Sequence, residues 1–523
     1  MINVRALASL SLAALLAALL GPSCTSGPDA DRAAATTNSA GSAASSSVAG
    51  QGPGGANGGI GGVGGGGGLA VGGAGGGQGP CSEEHPTWTV GLKQCSPECF
   101  DGYTLFSPSN YETTYLIDIR GRLVHSWQSG YRPALSGYLL DDGRLLRPGA
   151  LANPEFPMGG RGGVIELLDW DGSVLWSYTY SDSQRTQHHD IEPLPNGNVL
   201  LVAWERHTQA EMVDAGRDPA LVPANGMWID TIVEVAPTAP NAGDVVWRWD
   251  ALDHLVQDRD PSKDNYVSDV ADHPNRLDIG FPPTLRIDWL HLNAVDYHAG
   301  LDQIVVSSRA QGELYVIDHA TATANYDDAP AAIAAAAGPE GDLLYRWGNP
   351  QVYSRGAAVD QQLFAPHDAR WIEPTLPGAG DLLIFNNGED RPAGQYSSVE
   401  QLVPPIDADG SYQLQPLQAY GPPAPLWHYQ AANPLDLYTP TGSGAQRLAN
   451  GNTLLCVSNM GMIVEVTAAG ETVWEYLVPV DYDGPMVQGS ESATRRAYRA
   501  HRYDADYPGL QGRSLVPGGY IEL

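Results

Sequence analysis

One short unit recurs along this chain. Residues 115–127 read as a strand, a turn at Gly121 and a second strand closing on Trp127. Residues 163–178 repeat it around Gly172 and Trp176, residues 463–476 around Gly470 and Trp474, and looser copies end at Trp247 and Trp347. Alternating side chains about a glycine turn specify a β-hairpin. A second unit accompanies the first: Asp142-Gly143, Asn196-Gly197 and Asn450-Gly451, each followed by an apolar strand. Asx-Gly pairs tolerate the positive φ of a tight turn. Hairpin plus turn-and-strand makes about four strands per repeat, which is a propeller blade. Five or six copies can be traced. The expectation is therefore an all-β, six-bladed β-propeller over residues 81–523. A β-sandwich is the alternative, but it would not set equivalent turns around one axis. Only residues 331–337 read as helical, and the apolar-poor stretch 257–283 reads as an insertion between blades near one mouth of the ring.

The flanks set the setting. Arg5 precedes an apolar run over residues 6–20, too short for a confident membrane span, and Gly21-Pro22-Ser23-Cys24 resembles a lipoprotein cleavage box. Residues 1–24 are expected to be a signal peptide with Cys24 as the lipidated residue. Residues 25–80 are Ala/Ser- and then Gly-rich and are expected to be a disordered tether. The protein would be exported, periplasmic or at the cell surface, and touch a membrane only through that anchor. Export allows a disulfide among Cys81, Cys95 and Cys99, with Cys81–Cys95 or Cys81–Cys99 as the pairings and zinc the minor reading. With 60 acidic against 28 basic side chains, a formal net charge of −32, nucleic acid is not an expected partner.

Three histidines carry the functional signal. His189 stands in His188-His189-Asp190, His291 in Asp288-Trp289-Leu290-His291-Leu292-Asn293, and His367 in Pro366-His367-Asp368. Apolar strands follow over residues 199–203, 303–307 and 381–385. Matched positions in a repeat protein point to matched places around its axis, so three imidazoles from three blades are expected to meet at one end of the channel. A histidine at a turn is more often structural, taken singly. Here the position is skipped at Leu135 in the first blade and near Ser443 in the last, as a one-sided site would skip it. Arg309 ends the strand after His291, and Arg391 lies beyond the strand after His367. Guanidinium forks suit an oxyanion, and histidine serves as nucleophile or general acid/base. From the residues alone, phosphoryl- or sulfuryl-type transfer and a three-histidine zinc or copper site stand about level.

The motifs around His188-His189, His291, Ser307-Ser308-Arg309 and His367, with the C-terminal run from Arg496 to Leu510, resemble the arylsulfate sulfotransferases. The resemblance spans residue 102 to the end. It implies a six-bladed propeller that moves a sulfuryl group from a phenolic sulfate ester to a phenol through a sulfohistidine. It further implies no sulfonucleotide, no other cofactor and no metal. His367 would be the nucleophile. His291 and Arg309 would hold the sulfuryl oxygens and protonate the leaving phenolate, and His189 or His188 would complete the site. Asn293 and Arg391 are candidates for substrate binding. The short stretch between Cys81 and the first blade leaves no room for a separate N-terminal sandwich domain or its dimer contact, so the oligomeric state stays open. A non-catalytic, surface-anchored binding propeller is the alternative, since fold alone does not set function.

Overall fold

A computed structural model describes residues 81–523 apart from Tyr326; the expected leader and tether lie outside the described residues. Six antiparallel blades follow one another, five of them four-stranded sheets and the sixth a four-stranded blade extended to six strands at its outer edge. Blade 2 holds Tyr138–Leu139, Leu145–Ala150, Gly163–Leu168 and Val174–Thr179, and blade 3 holds Arg185–Pro193, Val199–His207, Met227–Thr238 and Ala242–Asp250. Blade 4 runs from Leu292–His298 to Leu343–Trp347, blade 5 from His367–Trp371 to Trp427–Gln430, and blade 6 from Gly444–Arg447 to Thr472–Leu477. Blade 1 is made from both ends of the domain. Gly102–Pro108, Thr113–Asp118 and Leu123–Gln128 take Ala497–Asp504 as their first strand, which closes the ring. The first strands of blades 3, 4 and 5 pack on one another around the axis.

The recurrent tryptophan closes blade on blade. The indole N–H of Trp127 donates to Asp169 O of blade 2 (3.1 Å), and Trp176 to Ala242 O of blade 3 (2.7 Å). Trp247 reaches Thr321 Oγ1 (3.3 Å), Trp347 reaches Pro422 O (2.8 Å), and Trp427 reaches Ala468 O (3.0 Å). Trp474 of blade 6 returns to Ile119 O of blade 1 at 2.7 Å. Each aromatic ring buries apolar surface while its one polar atom finds a partner on the next blade. The residue that ends each hairpin is therefore also the clasp between neighbours.

Three expectations need adjustment. The segment at 329–336 is helical, but Gln209–Asp214 and Ala320–Thr323 are helices as well. Leu135 leads into blade 2, because the C-terminal strand and residues 102–128 already make blade 1. The strand expected at 381–385 is Leu382–Asn386. The insertion after blade 3 carries a short parallel pair, Leu255–Val256 with Leu277–Asp278. Cys81 and Cys95 form the disulfide, with the Cys99 sulfur 3.2 Å from that of Cys95. They lie in a strap whose strand Gly91–Cys95 adds to the outer edge of blade 6. No helix among the described residues is long and apolar enough to cross a membrane.

Candidate active site

The inner strands of blades 3, 4 and 5 each break their ladder near the histidine. The register shifts between Gln187 and Ile191, between Leu292 and Ala294, and between His367 and Arg370. Such bulges re-aim side chains at the cost of ladder bonds. His189 and His291 themselves take positive φ, 54° and 52°, as do Leu135 and Ser443 in the blades without a histidine. In blade 5 the left-handed residue is Asp368 (φ 55°), not His367. The three histidines therefore do not share one backbone position: His367 enters one residue early, in step with His188. Non-glycine residues held at positive φ cost of order 1–3 kcal/mol each and cluster at functional sites.

The side chains nevertheless gather. The rings of His189 and His291 lie 4.6 Å apart, centre to centre. The Tyr498 ring sits 6.1 Å from His189 and 6.1 Å from His367, bridging the two. His367 feels the charge of both Arg309 and His291; burial first, and then those two groups, hold its imidazole well below the ordinary range. His189 is likewise held well below it, by burial and then by His291, His188 and His367. Both are neutral bases at neutral pH.

Hydrogen bonds fix the proton on His367. Asn387 donates its amide to Thr439 O and Gly442 O (2.8 and 2.9 Å), so its oxygen faces the imidazole. His367 Nδ1 donates to that oxygen at 2.7 Å and to Ala365 O at 3.1 Å. The proton is thus on Nδ1 and the lone pair on Nε2, which accepts the Gly442 N–H at 3.1 Å. His291 Nδ1 lies 2.5 Å from Asp288 Oδ2. His188 turns away from this centre. It stacks on Trp204 at 3.9 Å, meets His189 Nδ1 to Nδ1 at 2.8 Å, and is pushed down to about 3 by burial. Its Nε2 is 3.1 Å from Asp230 Oδ1 but at an angle that makes no hydrogen bond.

The other expected residues divide. Arg309 pairs with Glu389 beside the cluster, and its backbone N–H donates to His291 O at 3.2 Å. Asn293 is fully buried. Its amide donates to Pro366 O at 2.8 Å and accepts from Ser307 at 2.6 Å, so it ties blade 4 to the segment leading into His367. Arg391 lies apart, stacked on Tyr396 with its guanidinium 4.0 Å from the ring centre and bonded to Tyr396 and Ser398. It lines a 230 Å³ cleft with His428 and Glu400, and a neighbouring cavity of about 730 Å³ between Trp347 and Tyr420 also contains none of the three histidines. Neither cavity is the site, because the chemistry-bearing rings are elsewhere.

Sequence reasoning gave no role to Asp288, Asp230, Asn387, Tyr498 and Arg499. The last two lie in the C-terminal motif and reach the centre only because their strand closes blade 1. Arg499 pairs with Asp368, lies 3.4 Å from Asp190, and donates to Asn293 O at 3.1 Å. Gly160 covers the far side of His189: a Cβ there would stand 2.0 Å from Cε1 of the ring, and its φ is +86°. Among the described residues, the one group of three or more metal-type ligands with donor atoms within 4.8 Å of one another is Cys81, Cys95 and Cys99.

The family profile described as Arylsulfotransferase (ASST) matches residues 158–483, which span blades 3 to 6 and the last two strands of blade 2. The chain belongs to the arylsulfotransferase family. No curated protein matches it. Among solved structures it is similar to a protein of unknown function from Bacteroides caccae, at 13% identity over 72% of this chain and 93% of that one, TM-score 0.38. It is also similar to the Myceliophteria thermophila Cps50 (Swd1) β-propeller domain, at 13% identity over 75% and 90%, TM-score 0.38. Virginiamycin B lyase from Staphylococcus aureus follows at 8% identity over 76% and 90%, TM-score 0.32. Likenesses this distant carry no argument; the fold rests on the six sheets themselves. Membership implies aryl sulfate and phenol as the small-molecule substrates.

Proposed function

We propose that the protein is an exported arylsulfate sulfotransferase working by a ping-pong route through a sulfohistidine on His367. The observation that carries this reading is the gathering of His189, His291 and His367 from three blades beside Arg309. In the first half-reaction the His367 Nε2 lone pair forms the N–S bond. The ester S–O bond breaks, and its electron pair leaves on the phenolate oxygen, which takes a proton from His291. The Gly442 N–H must release Nε2 as this begins. In the second half-reaction the acceptor phenol gives its proton to His291, its oxygen bonds to sulfur, and the S–N pair returns to Nε2. Neutral imidazoles with depressed basicity suit a nucleophile that must also leave. Arg309 supplies a fixed cation for the sulfuryl oxygens, where developing charge is best stabilised. His189, in ring contact with His291, would face the same group. Arg391 is a candidate for the far end of a larger substrate, with Asn293 acting through the blade contact it makes.

Export rests on the leader-like residues 1–24, with Cys24 as a lipid anchor, and draws support from the Cys81–Cys95 disulfide, a bond of oxidising compartments. The test is turnover: purified protein, 4-nitrophenyl sulfate and phenol, with parallel double-reciprocal lines expected. A folded protein inert towards a panel of aryl sulfates would overturn the reading.

A further inference from the structure

We propose that Asp288 is the positioning residue of this site, holding the Nδ1 proton of His291 so that Nε2 handles the proton of each phenol. The inference rests on the transfer reading above. Asp288 is 4% exposed and its Oδ2 lies 2.5 Å from His291 Nδ1. Its backbone is pinned by a parallel bridge to Trp228 on the third strand of blade 3, so the carboxylate does not follow the ring if the ring moves. Its other oxygen, Oδ1, is buried without a hydrogen-bond partner. A carboxylate kept only to hold loops together would be expected to saturate both oxygens, because a buried unsatisfied acceptor costs about 1–3 kcal/mol.

The neighbours place the charge on Asp288. Asp230 stands close enough for the two carboxyls to repel. Burial, and then the charge of Asp288, raise Asp230 well above the carboxylate range, so of the two it is the carboxyl that holds a proton more readily. Burial also pushes Asp288 up, but the charge and hydrogen bond of His291, then His188 and Arg286, outweigh it and leave Asp288 below that range. The charge is therefore favoured on Asp288, the residue that touches His291. A buried carboxylate on Nδ1 fixes the imidazole tautomer and stabilises the imidazolium. Nε2–H then delivers a proton to the departing phenolate oxygen as the S–O bond breaks, and the ring, neutral afterwards, takes the proton of the incoming phenol. No proton passes to Asp288 in either half.

The experiment uses the full-length protein and a donor series from 4-nitrophenyl to 4-methylphenyl sulfate, with one saturating acceptor and kcat/KM read for the donor. A nitrophenolate leaves without protonation and a cresolate does not. D288N is expected to cost under about tenfold with the first and about 10²–10⁴-fold with the last, because the amide donates to Nδ1 and turns the tautomer round. In an H291Q background the same change should cost nothing further, since Asp288 acts through that ring. A loss uniform across the series, or undiminished in H291Q, overturns the inference while leaving the transfer reading intact. Wild-type protein inert to every donor removes both. If D288N does not fold, nitrogen-15 spectra of histidine-labelled wild type decide: His291 protonated at Nδ1 is the expected result, and protonation at Nε2 alone overturns it.

Discussion

Two polar regions share the channel of this propeller, and they are built on opposite rules. In the first, Arg499 of blade 1 pairs with Asp368 of blade 5 and faces Asp190 of blade 3. Asp190 accepts from Tyr138 of blade 2 at 2.9 Å and from Val295 N of blade 4 at 3.3 Å, and Asp368 accepts from Ala445 N of blade 6 at 2.8 Å. All six blades meet in one network whose carboxylate oxygens are taken. In the second region, around His189 and His291, His188 Nε2, Asp230 Oδ2 and Asp288 Oδ1 are buried with no partner. The clasp leaves Arg499 Nε without a partner but has every carboxylate oxygen taken and closes a ring; in the second region it is carboxylate oxygens that are left short, a standing cost that folding alone does not explain. The contrast separates the clasp from the site.

The comparison breaks first at His367. H367Q should lose at least about 10⁴-fold in kcat with its thermal midpoint little changed, measured by phenol release beside a melting curve. A loss under tenfold would move the nucleophile elsewhere. The converse holds for the clasp: R499M should lose about 3–5 kcal/mol of stability by urea titration, because it leaves buried Asp190 without its cation and Asp368 with Arg370 alone. An R499M protein as stable as wild type would remove the clasp's role.

A pH series separates the regions further. Folded His188 refuses a proton until about pH 3, whereas the unfolded residue takes one near pH 6.5. Its contribution is therefore whole above about pH 6.5 and is lost as pH falls towards 3. Asp368, held low by Arg370 and Arg499 despite its burial, keeps its contribution until the pH falls below the ordinary carboxylate value. Asp190, raised by burial, acts with the opposite sign, so the useful quantity is a difference. Wild type minus H188L should show stability falling from pH 6.5 to 4.5 by up to about 1.4 kcal/mol per pH unit, one proton's worth. A flat difference would contradict a buried neutral His188. The smallest effect is expected at Arg391, outside the histidine cluster: R391A should change kcat by less than about threefold for a one-ring donor, since its hydrogen bonds stay within its own loop.

The blades were legible because hairpin alternation, Asx-Gly turns and the terminal tryptophan are local signals, and the tryptophan's second role only strengthens the repeat. The histidines were legible as a recurrence but not in their register. His189-Asp190 and His367-Asp368 look alike as text, yet the left-handed residue is the histidine in one and the aspartate in the other, because the bulges differ by one residue. Arg499 and Tyr498 were read only as part of a C-terminal motif: their place depends on a strand that pairs with Gly102–Pro108, where Phe106 faces Ala500 across 394 residues (500 − 106). Asp288 was in plain view in its motif, and only the geometry gives it a use. Arg391 followed a strand as Arg309 does, but the loop after Asn387 carries it outward to Tyr396.

The central claim is a covalent bond to one nitrogen. Incubating the protein with 4-nitrophenyl sulfate and no acceptor, followed by rapid quench at alkaline pH and peptide mass spectrometry, reads it directly. The account predicts one sulfuryl group on the peptide containing His367, discharged when phenol is added before the quench and absent from H367Q. A sulfuryl group on another residue, or turnover-competent protein that never carries one, would contradict it.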